Sequence, residues 1–275
     1  VASVAGEFTR QLSVALESAD SPANRLTDSP ANRLTDNIPV WVARFRNAID
    51  AISKRPDDIT NPSKLPVTAN AWLRDALDKT EGSGDFVAAV RDAANAGNWY
   101  QIYNADGAES GTVQSPMQNL AAGMFAAQMI GPRGLIKSDQ LLAGLFLLRQ
   151  RLHYPLHQHQ ATEIYFGASG IAHIQHGIDG EICQLSPGQF SLTPSNRLHA
   201  LTMGDMPVLL LYSWLGELGG RNWWWHRDAN GDWHRDAWER QPDAVWVKTA
   251  TELVSPLEVG AAKMGISKNG GRDWD

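Results

Sequence analysis

The chain has 275 residues, of which 43% are hydrophobic, so it is long enough to bury the core of one large domain or two small ones. Its formal net charge of -6, with no run rich in Lys or Arg, argues against nucleic acid as a partner. No apolar stretch approaches the ~20 residues that span a bilayer. The most apolar run covers only residues 141–148, so we expect no membrane partner.

A single cysteine, Cys183, excludes an intramolecular disulfide and a zinc site built from several cysteines. We expect Cys183 to be a buried apolar residue rather than a ligand or a nucleophile. One thiol fits a reducing compartment, so a cytoplasmic location is expected. The sequence starts at Val1 instead of Met, and removal of a signal segment therefore stays an open alternative.

Residues 1–130 are predicted to form a helical region without a catalytic role. The octapeptide DSPANRLT occurs twice in succession within residues 20–35, and its Pro and Asn content favours a loop that has gained a tandem insertion. Four later segments carry apolar residues at helical spacing: IPVWVARFRNAIDAI, NAWLRDALDKT, GDFVAAVRDAANAGNW and SPMQNLAAGMFAAQMIG. Ser115 and Pro116 are expected at the N-cap and the first turn of the last helix.

From Leu141 the sequence changes to short β-like runs separated by glycine-rich turns. Strands at this regular spacing are typical of an antiparallel sandwich or barrel. A late pair of runs, NWWWHRD and DWHRDAW, flanks the turn sequence ANG and predicts a β-hairpin. The predicted fold class is therefore α+β, with the helical region followed by an antiparallel β-barrel at 131–250 and a C-terminal tail at 251–275.

The stretch YPLHQHQATEIYFG concentrates residues that can carry chemistry. Four of them are separated by even numbers of positions: His157, His159, Glu163 and Tyr165. If one β-strand carries them, all four side chains point to the same face. Two imidazoles and a carboxylate that converge in this way form half of a typical divalent-metal site. A pair of surface histidines beside a solvated glutamate is the alternative, and this stretch alone leaves it open.

A second segment, GQFSLTPSNRLHAL, combines a strand, a turn at Pro194 and a further histidine, His199, as a third imidazole ligand on a neighbouring strand would require. The two segments resemble the two motifs of the cupin superfamily. The first motif, H-x-H-x(3)-E-x(6)-G, is matched without a gap and ends at Gly170, and the second is matched at Gly188, Pro194 and His199. Three residues that are not ligands depart from the motifs: Arg151 and Asn196 replace glycines, and Met203 replaces a terminal Asn.

The cupin resemblance implies a jelly-roll β-barrel that binds one divalent transition-metal ion. The implied ligands are His157, His159, Glu163 and His199. Imidazoles with a carboxylate suit several ions, so Zn, Fe, Mn, Ni, Co and Cu all stay open.

Two tyrosines narrow the resemblance. The pattern Y-x-x-H-x-H-x(3)-E-x-Y begins at Tyr154, ends at Tyr165 and is similar to that of the cupin-type dimethylsulfoniopropionate (DMSP) lyases. A third histidine and a following aromatic residue, here Trp214, continue the resemblance over roughly residues 140–216. The implied activity is a lyase that cleaves DMSP, a small zwitterion with a sulfonium and a carboxylate, to dimethyl sulfide and acrylate by β-elimination.

On this basis Tyr165 is the first choice for the general base, because an even number of positions separates it from His157 and places it on the metal-facing side of a strand. Tyr154 is an odd number of positions from His157, but Pro155 interrupts the strand, so Tyr154 stays a second catalytic candidate. Aromatic faces attract a sulfonium by cation–π contact. The expected substrate-binding residues are therefore Trp214, Tyr212 and Tyr154.

Two alternatives from other classes remain open at this point. One is a cupin dioxygenase or isomerase that acts on another small substrate, and the other is a metal-binding cupin without catalysis. A lyase of the same family that acts on a different substrate lies between these two and stays open as well. A homo-oligomer is compatible with the sequence. Outside the motifs, His173 and His176 are expected to be surface strand residues, and His226 and His234 could pair across the hairpin.

Overall fold

The structure of the chain is a computed structural model, which describes residues 2–19, 38–52, 65–103, 116–240 and 246–264. The helices in these ranges are α1 (Ala2–Ala19), α2 (Ile38–Ala51), α3 (Val67–Asp78), α4 (Gly84–Ala96), α5 (Pro116–Gly123) and α6 (Pro256–Met264). The strands are β1 (Trp99–Gln101), β2 (Met124–Ile130), β3 (Leu141–Leu148), β4 (His153–Gln158), β5 (Thr162–Ser169), β6 (Ala172–His176), β7 (Ile182–Leu185), β8 (Phe190–Thr193), β9 (His199–Met203), β10 (Val208–Leu215), β11 (Asn222–Arg227), β12 (Trp233–Arg240) and β13 (Trp246–Leu253). The duplication at 20–35 and the predicted cap Ser115 lie outside the described residues.

The first four helices share one hydrophobic core with a face of the β-sheet structure. Apolar residues at helical spacing, such as Phe8 on α1, Phe45 on α2 and Phe86 on α4, are buried in this core. It continues into strand residues such as Phe125 and Phe166. The helices predicted at α2, α3 and α4 are thus confirmed, whereas α1 was not predicted. No helix in the described ranges has the combined length and apolarity that a membrane span requires.

The fourth predicted helix is wrong in its second half. Helix α5 ends at Gly123, and Met124 begins strand β2, in which all seven residues are buried. A short apolar run that is buried on both faces has no periodicity that separates strand from helix. Strand structure therefore starts on the N-terminal side of residue 131, and at the other end β13 runs across residue 250.

The strands form two antiparallel sheets that pack as a jelly-roll-like sandwich. The first, sheet A, has the strand order β1-β2-β3-β10-β5-β8, and the second, sheet B, has the order β13-β12-β11-β4-β9-β6-β7. The helical core covers the outer face of sheet A, and a second core fills the space between the sheets. The predicted α+β fold with an antiparallel jelly roll is confirmed, although the described strands form two sheets rather than a closed barrel.

Local turns follow the sequence signals. Strands β11 and β12 form the predicted hairpin, with His226 directly opposite His234. Two residues that replace motif glycines, Arg151 and Asn196, adopt left-handed conformations with φ of 57° and 58°. Asn tolerates this conformation better than most residues. The backbone N–H of Asn196 donates to the backbone carbonyl of His159 at 2.7 Å, and this hydrogen bond connects the second motif to the turn between β4 and β5.

Candidate metal centre and catalytic pocket

Two rows of directly opposed residues, one in each sheet, carry most of the polar side chains of the site. In sheet B, His157 on β4 lies opposite His199 on β9. In sheet A, Glu163 on β5 lies between Trp214 on β10 and Thr193 on β8. Residues directly opposite each other on antiparallel strands point to the same face. The two rows therefore meet in the interior of the sandwich, where Oε2 of Glu163 lies 3.4 Å from Nε2 of His199.

The prediction that one strand carries the four residues of the first segment is wrong. His157 lies on β4, His159 in the following turn, and Glu163 and Tyr165 on β5 in the opposite sheet. The side chains still converge, because consecutive strands of a sandwich face each other across the core. The predicted proximity of His159 and Glu163 is present, with Nε2 and Oε2 3.2 Å apart.

A β-bulge explains why Tyr154 joins the site despite its odd spacing. Tyr154 is paired with Leu201 and His157 with His199, so the two pairs are three residues apart on β4 but only two residues apart on β9. One extra residue in a strand reverses the side-chain alternation beyond it. The ring of Tyr154 consequently stacks on that of His157, with centroids 3.6 Å apart and planes 15° apart.

The three imidazoles of the site share one hydrogen-bonding arrangement. In each, Nδ1 lies against a backbone carbonyl two residues away, at 2.8 Å for His157, 2.9 Å for His159 and 2.9 Å for His199. A carbonyl only accepts hydrogen bonds, so we infer that Nδ1 carries the proton and that Nε2 presents a lone pair. Metal-binding histidines in proteins usually have this second contact, which fixes the ring and its tautomer.

These lone pairs converge on one buried point. Ligand atoms of His157, His159 and His199 all lie within 4.8 Å of one another. Together with Glu163 the three rings are buried, and the most accessible, His159, is only 4% exposed. Within the described part of the chain, Nε2 of His199 has no hydrogen-bond partner, although Oε2 of Glu163 lies 3.4 Å away. Acceptor atoms that face one another in a buried space are unfavourable without a donor or a cation among them, and this set of donor atoms fits a divalent metal ion.

The electrostatics of the site favour the same donor set. Burial, with further contributions from neighbouring imidazoles, lowers the pKa of His157 and of His199 below the ordinary value, so both rings are neutral. Burial opposes ionisation of Glu163, and the low pKa of this carboxyl depends on protons that Nε2 of His159 and of His199 donate to it, a role that a bound cation would take over where Nε2 carries a lone pair. Neutral imidazoles and an ionised carboxylate are the forms that bind a divalent ion.

A buried hydrogen-bond network holds the hydroxyl of Tyr154. This oxygen lies 2.5 Å from the hydroxyl oxygen of Tyr103. The amide of Asn222 donates to both hydroxyls, at 3.2 Å to Tyr154 and 2.8 Å to Tyr103, and the indole N–H of Trp224 donates to Tyr103 at 3.2 Å. Burial raises the pKa of Tyr154 well above its ordinary value. Sequence patterns gave no sign of Tyr103 or Asn222, because each lies about 50 or more positions from Tyr154.

Tyr165 lies on the other side of the site. Its ring packs face to face with Phe146 at 5.9 Å between centroids, and β10 places Tyr212 directly opposite it. Burial, then the charge of Glu163 and a hydrogen bond to it, raise the pKa of Tyr165 well above the ordinary value. The phenol is therefore neutral unless a cation lies nearby.

Trp214 contacts two of the predicted ligands. Its indole N–H donates a short hydrogen bond to Oε1 of Glu163, and its ring stacks on His159 with centroids 4.2 Å apart. Trp214 and Tyr212 also line a pocket with about 620 Å³ of free space, part of which is open to solvent. The other Phe, Tyr and Trp residues that line it are Tyr100, Tyr103, Phe146, Tyr154, Tyr165 and Trp246. None of the described lining residues is Lys or Arg, and Glu163 is the one acidic residue among them.

The remaining histidines lie as follows. His173 and His176 lie on β6 as predicted, and both are half-buried rather than fully exposed. Nε2 of His176 lies 3.0 Å from Oγ1 of Thr193, its ring centroid is 6.2 Å from that of His199, and burial lowers its pKa well below the ordinary value. Its position at the end of β6, directly opposite His199, gave no sequence signal. The pairing of His226 with His234 is confirmed, with stacked rings 5.8 Å apart.

Comparisons with known proteins agree with this geometry. A family model described as dimethylsulfoniopropionate lyase matches residues 41–210. The dimethylsulfoniopropionate lyase DddQ of Ruegeria pomeroyi is 37% identical over 91 residues, which are 33% of this chain and only 44% of that protein. A crystal structure of DMSP lyase DddQ from the same organism superposes with a TM-score of 0.51 at 24% identity, over 71% of this chain and 96% of that one. A chain from crystal structures titled as DMSP lyases RdDddP and RnDddQII gives a TM-score of 0.51 at 22% identity, over 70% and 95% of the two chains.

Proposed function

The chain belongs to the dimethylsulfoniopropionate lyase family, and on that premise we propose that it cleaves DMSP to dimethyl sulfide and acrylate. The observation that carries the proposal is the buried set of three imidazoles and a carboxylate beside an aromatic pocket. The chain's sequence match covers less than half of its curated relative, so this activity is inferred from the site itself.

The charges of the pocket suit a zwitterion of this kind. The described lining contains no Lys or Arg that could pair with the substrate carboxylate. A cation held by the imidazoles is therefore the natural partner of that carboxylate. The sulfonium end would lie against aromatic faces, where cation–π attraction contributes ~0.5–2 kcal/mol. Trp214, Tyr212 and Tyr154 are the residues that we assign to substrate contact.

We assign one divalent ion to the centre, with His157, His159, Glu163 and His199 as its ligands. Zn, Fe, Mn, Ni, Co and Cu all suit this donor set. Bound there, such an ion would supply Lewis-acid stabilisation to the substrate carboxylate and would favour the ionised form of a nearby phenol.

We assign the general base to Tyr165. In its ionised form, Oη of Tyr165 accepts the proton from the carbon next to the carboxylate. The electron pair of that C–H bond forms the carbon–carbon double bond of acrylate, and the neighbouring carbon–sulfur bond breaks. Its electron pair leaves with the sulfur as neutral dimethyl sulfide. The buried side chains around Tyr165 limit the access of bulk water to this proton on the closed side of the pocket.

Tyr154 is the second candidate for this role, and one observation favours it. Its hydroxyl oxygen accepts a hydrogen bond from the side-chain amide of Asn222, and a donor of this kind stabilises a phenolate. The cytoplasmic location, a homo-oligomeric state and the lack of nucleic-acid and membrane partners stay predictions.

The test is incubation of the metal-loaded protein with DMSP, followed by detection of dimethyl sulfide in the headspace and of acrylate in solution. Equal amounts of both products are expected. Protein that binds metal and DMSP but releases neither product would refute the proposal. Oxygen consumption, or turnover of a sugar in place of DMSP, would assign the site to the dioxygenase or isomerase alternatives.

A further inference from the structure

Trp214 occupies a position that substrate contact alone does not explain. The register between β10 and β5 sets Trp214 directly opposite Glu163, so both side chains point into the centre. The indole N–H donates to Oε1 of Glu163, which leaves Oε2 facing Nε2 of His159 and Nε2 of His199 at 3.2 and 3.4 Å. The donor on one oxygen thus fixes the orientation of the carboxylate, with the other oxygen facing the imidazoles.

The ring of the same tryptophan supports a second ligand. Of the four proposed ligands, His159 is the one that lies in a turn rather than on a strand, so its backbone position is fixed by fewer ladder hydrogen bonds. Nδ1 of His159 is held by the carbonyl of Ala161, and the indole covers the imidazole face at 4.2 Å with planes 26° apart. Together these two contacts fix both the tilt and the tautomer of the ring.

We propose that Trp214 is a positioning residue of the metal centre, which orients Glu163 through its N–H and His159 through its ring. The inference rests on the proposed metal centre and deepens it. It differs from the role of an aromatic wall for the sulfonium, because that role changes substrate affinity and leaves metal affinity as it was. Outer partners of metal ligands typically change metal affinity or activity by ~10–100-fold when they are replaced.

The test is the affinity of the full-length chain for Co²⁺ and Zn²⁺, measured by competition with a chelator, together with the visible absorption of the Co²⁺ form. Trp214→Phe keeps an aromatic face on His159 and removes the N–H. It should weaken Co²⁺ binding by ~10-fold or more and change the Co²⁺ spectrum. The matched control is Trp246→Phe. Trp246 lines the same pocket and contacts the ring of Tyr103, and the variant should bind Co²⁺ with the wild-type affinity.

A second variant covers the case in which Trp214→Phe does not fold. Replacement of Trp214 by β-(3-benzothienyl)alanine keeps the size and shape of the indole and substitutes sulfur for the N–H. Wild-type Co²⁺ affinity in this variant would overturn the proposed N–H role, whatever happens to DMSP turnover. A wild-type chain that binds Co²⁺ but releases no dimethyl sulfide would refute the proposed function and leave this inference standing, whereas a chain that binds no metal would overturn both.

Discussion

The hydroxyl of Tyr165 can be removed with little change to its surroundings. In Tyr165→Phe the ring still packs on Phe146, at 5.9 Å between centroids, in a position that is 3% exposed. The hydroxyl that is lost interacts with Glu163, and even a typical hydrogen bond contributes only about 0.5–1.5 kcal/mol net. Removal of a buried hydroxyl from the apolar side of the pocket offsets part of that cost. We therefore expect a folded variant whose metal content is close to that of the wild type.

The rate should change far more than the stability. A positioned proton-transfer group accelerates a reaction by ~10²–10⁴-fold, which is about 2.7–5.4 kcal/mol of barrier at about 1.36 kcal/mol per factor of ten. If Tyr165 is the base, release of dimethyl sulfide should fall by at least ~10²-fold. Exchange of the substrate's α-protons with solvent, followed by NMR in deuterated water, should fall by the same factor because both begin with the same proton transfer.

Tyr154→Phe is the matched control, since it also removes one hydroxyl from the pocket. A smaller loss than in Tyr165→Phe would assign Tyr154 to substrate contact, and a larger one would exchange the two roles. Metal content is measured for both variants, because Tyr154 stacks on His157 and Tyr165 contacts Glu163. If both variants turn over DMSP at the wild-type rate, no tyrosine is the base and the proposed mechanism is refuted.

Three further outcomes are expected. His199→Ala should lower metal content and elimination together, and full metal occupancy in this variant would place the site elsewhere. Gly188→Ala should lower the free energy of unfolding by about 1–2 kcal/mol, because a residue with a Cβ is strained in the left-handed conformation. Gly170→Ala should lower it more, because the added Cβ would also lie 2.5 Å from the carbonyl oxygen of Pro207, whereas nothing lies within 4 Å of a Cβ at Gly188. Equal losses of stability for the two variants in urea unfolding would contradict this. The metal-free protein should lose stability as pH falls below about 6.5, by up to ~1.4 kcal/mol per pH unit for each buried neutral imidazole. The reason is that burial puts the folded-state pKa of rings such as His176 below the unfolded value, so the unfolded chain binds more protons. A free energy of unfolding that stays constant down to pH 5 would exclude this linkage.

The sequence predicted the elements whose signals are local. The spacing of Phe45 and Ile49 identified α2, and the ANG turn identified the β11–β12 hairpin, because each pattern lies within one element. It failed at Met124, where a strand buried on both faces has no period that distinguishes it from a helix.

The part of the candidate site that lies within one sequence motif could be predicted. The spacing of the first segment brought His157 and His159 together with Glu163, although the assumed single strand was wrong. Asn222 could not be found, because only the pairing of β11 with β4 brings its side chain to Tyr154. Tyr103 was equally hidden, since it follows β1 at the edge of the opposite sheet and reaches Tyr154 across the sandwich. The hydrogen bond from Trp214 to Glu163 could not be predicted either, since it depends on the register between β10 and β5.

The two opposed rows of side chains also have a mechanical consequence. The described strands of sheet A form no backbone ladder with those of sheet B, so the layers are joined there by side-chain packing and by polar side-chain contacts such as that of His176 with Thr193. An ion shared by Glu163 of one layer and His157 and His199 of the other would act as a cross-link between them. Its binding would then add to the free energy of unfolding by mass action, about 2.7 kcal/mol when the free ion is at a hundred times its Kd. Resistance to heat would accordingly track the supply of metal as closely as catalysis does.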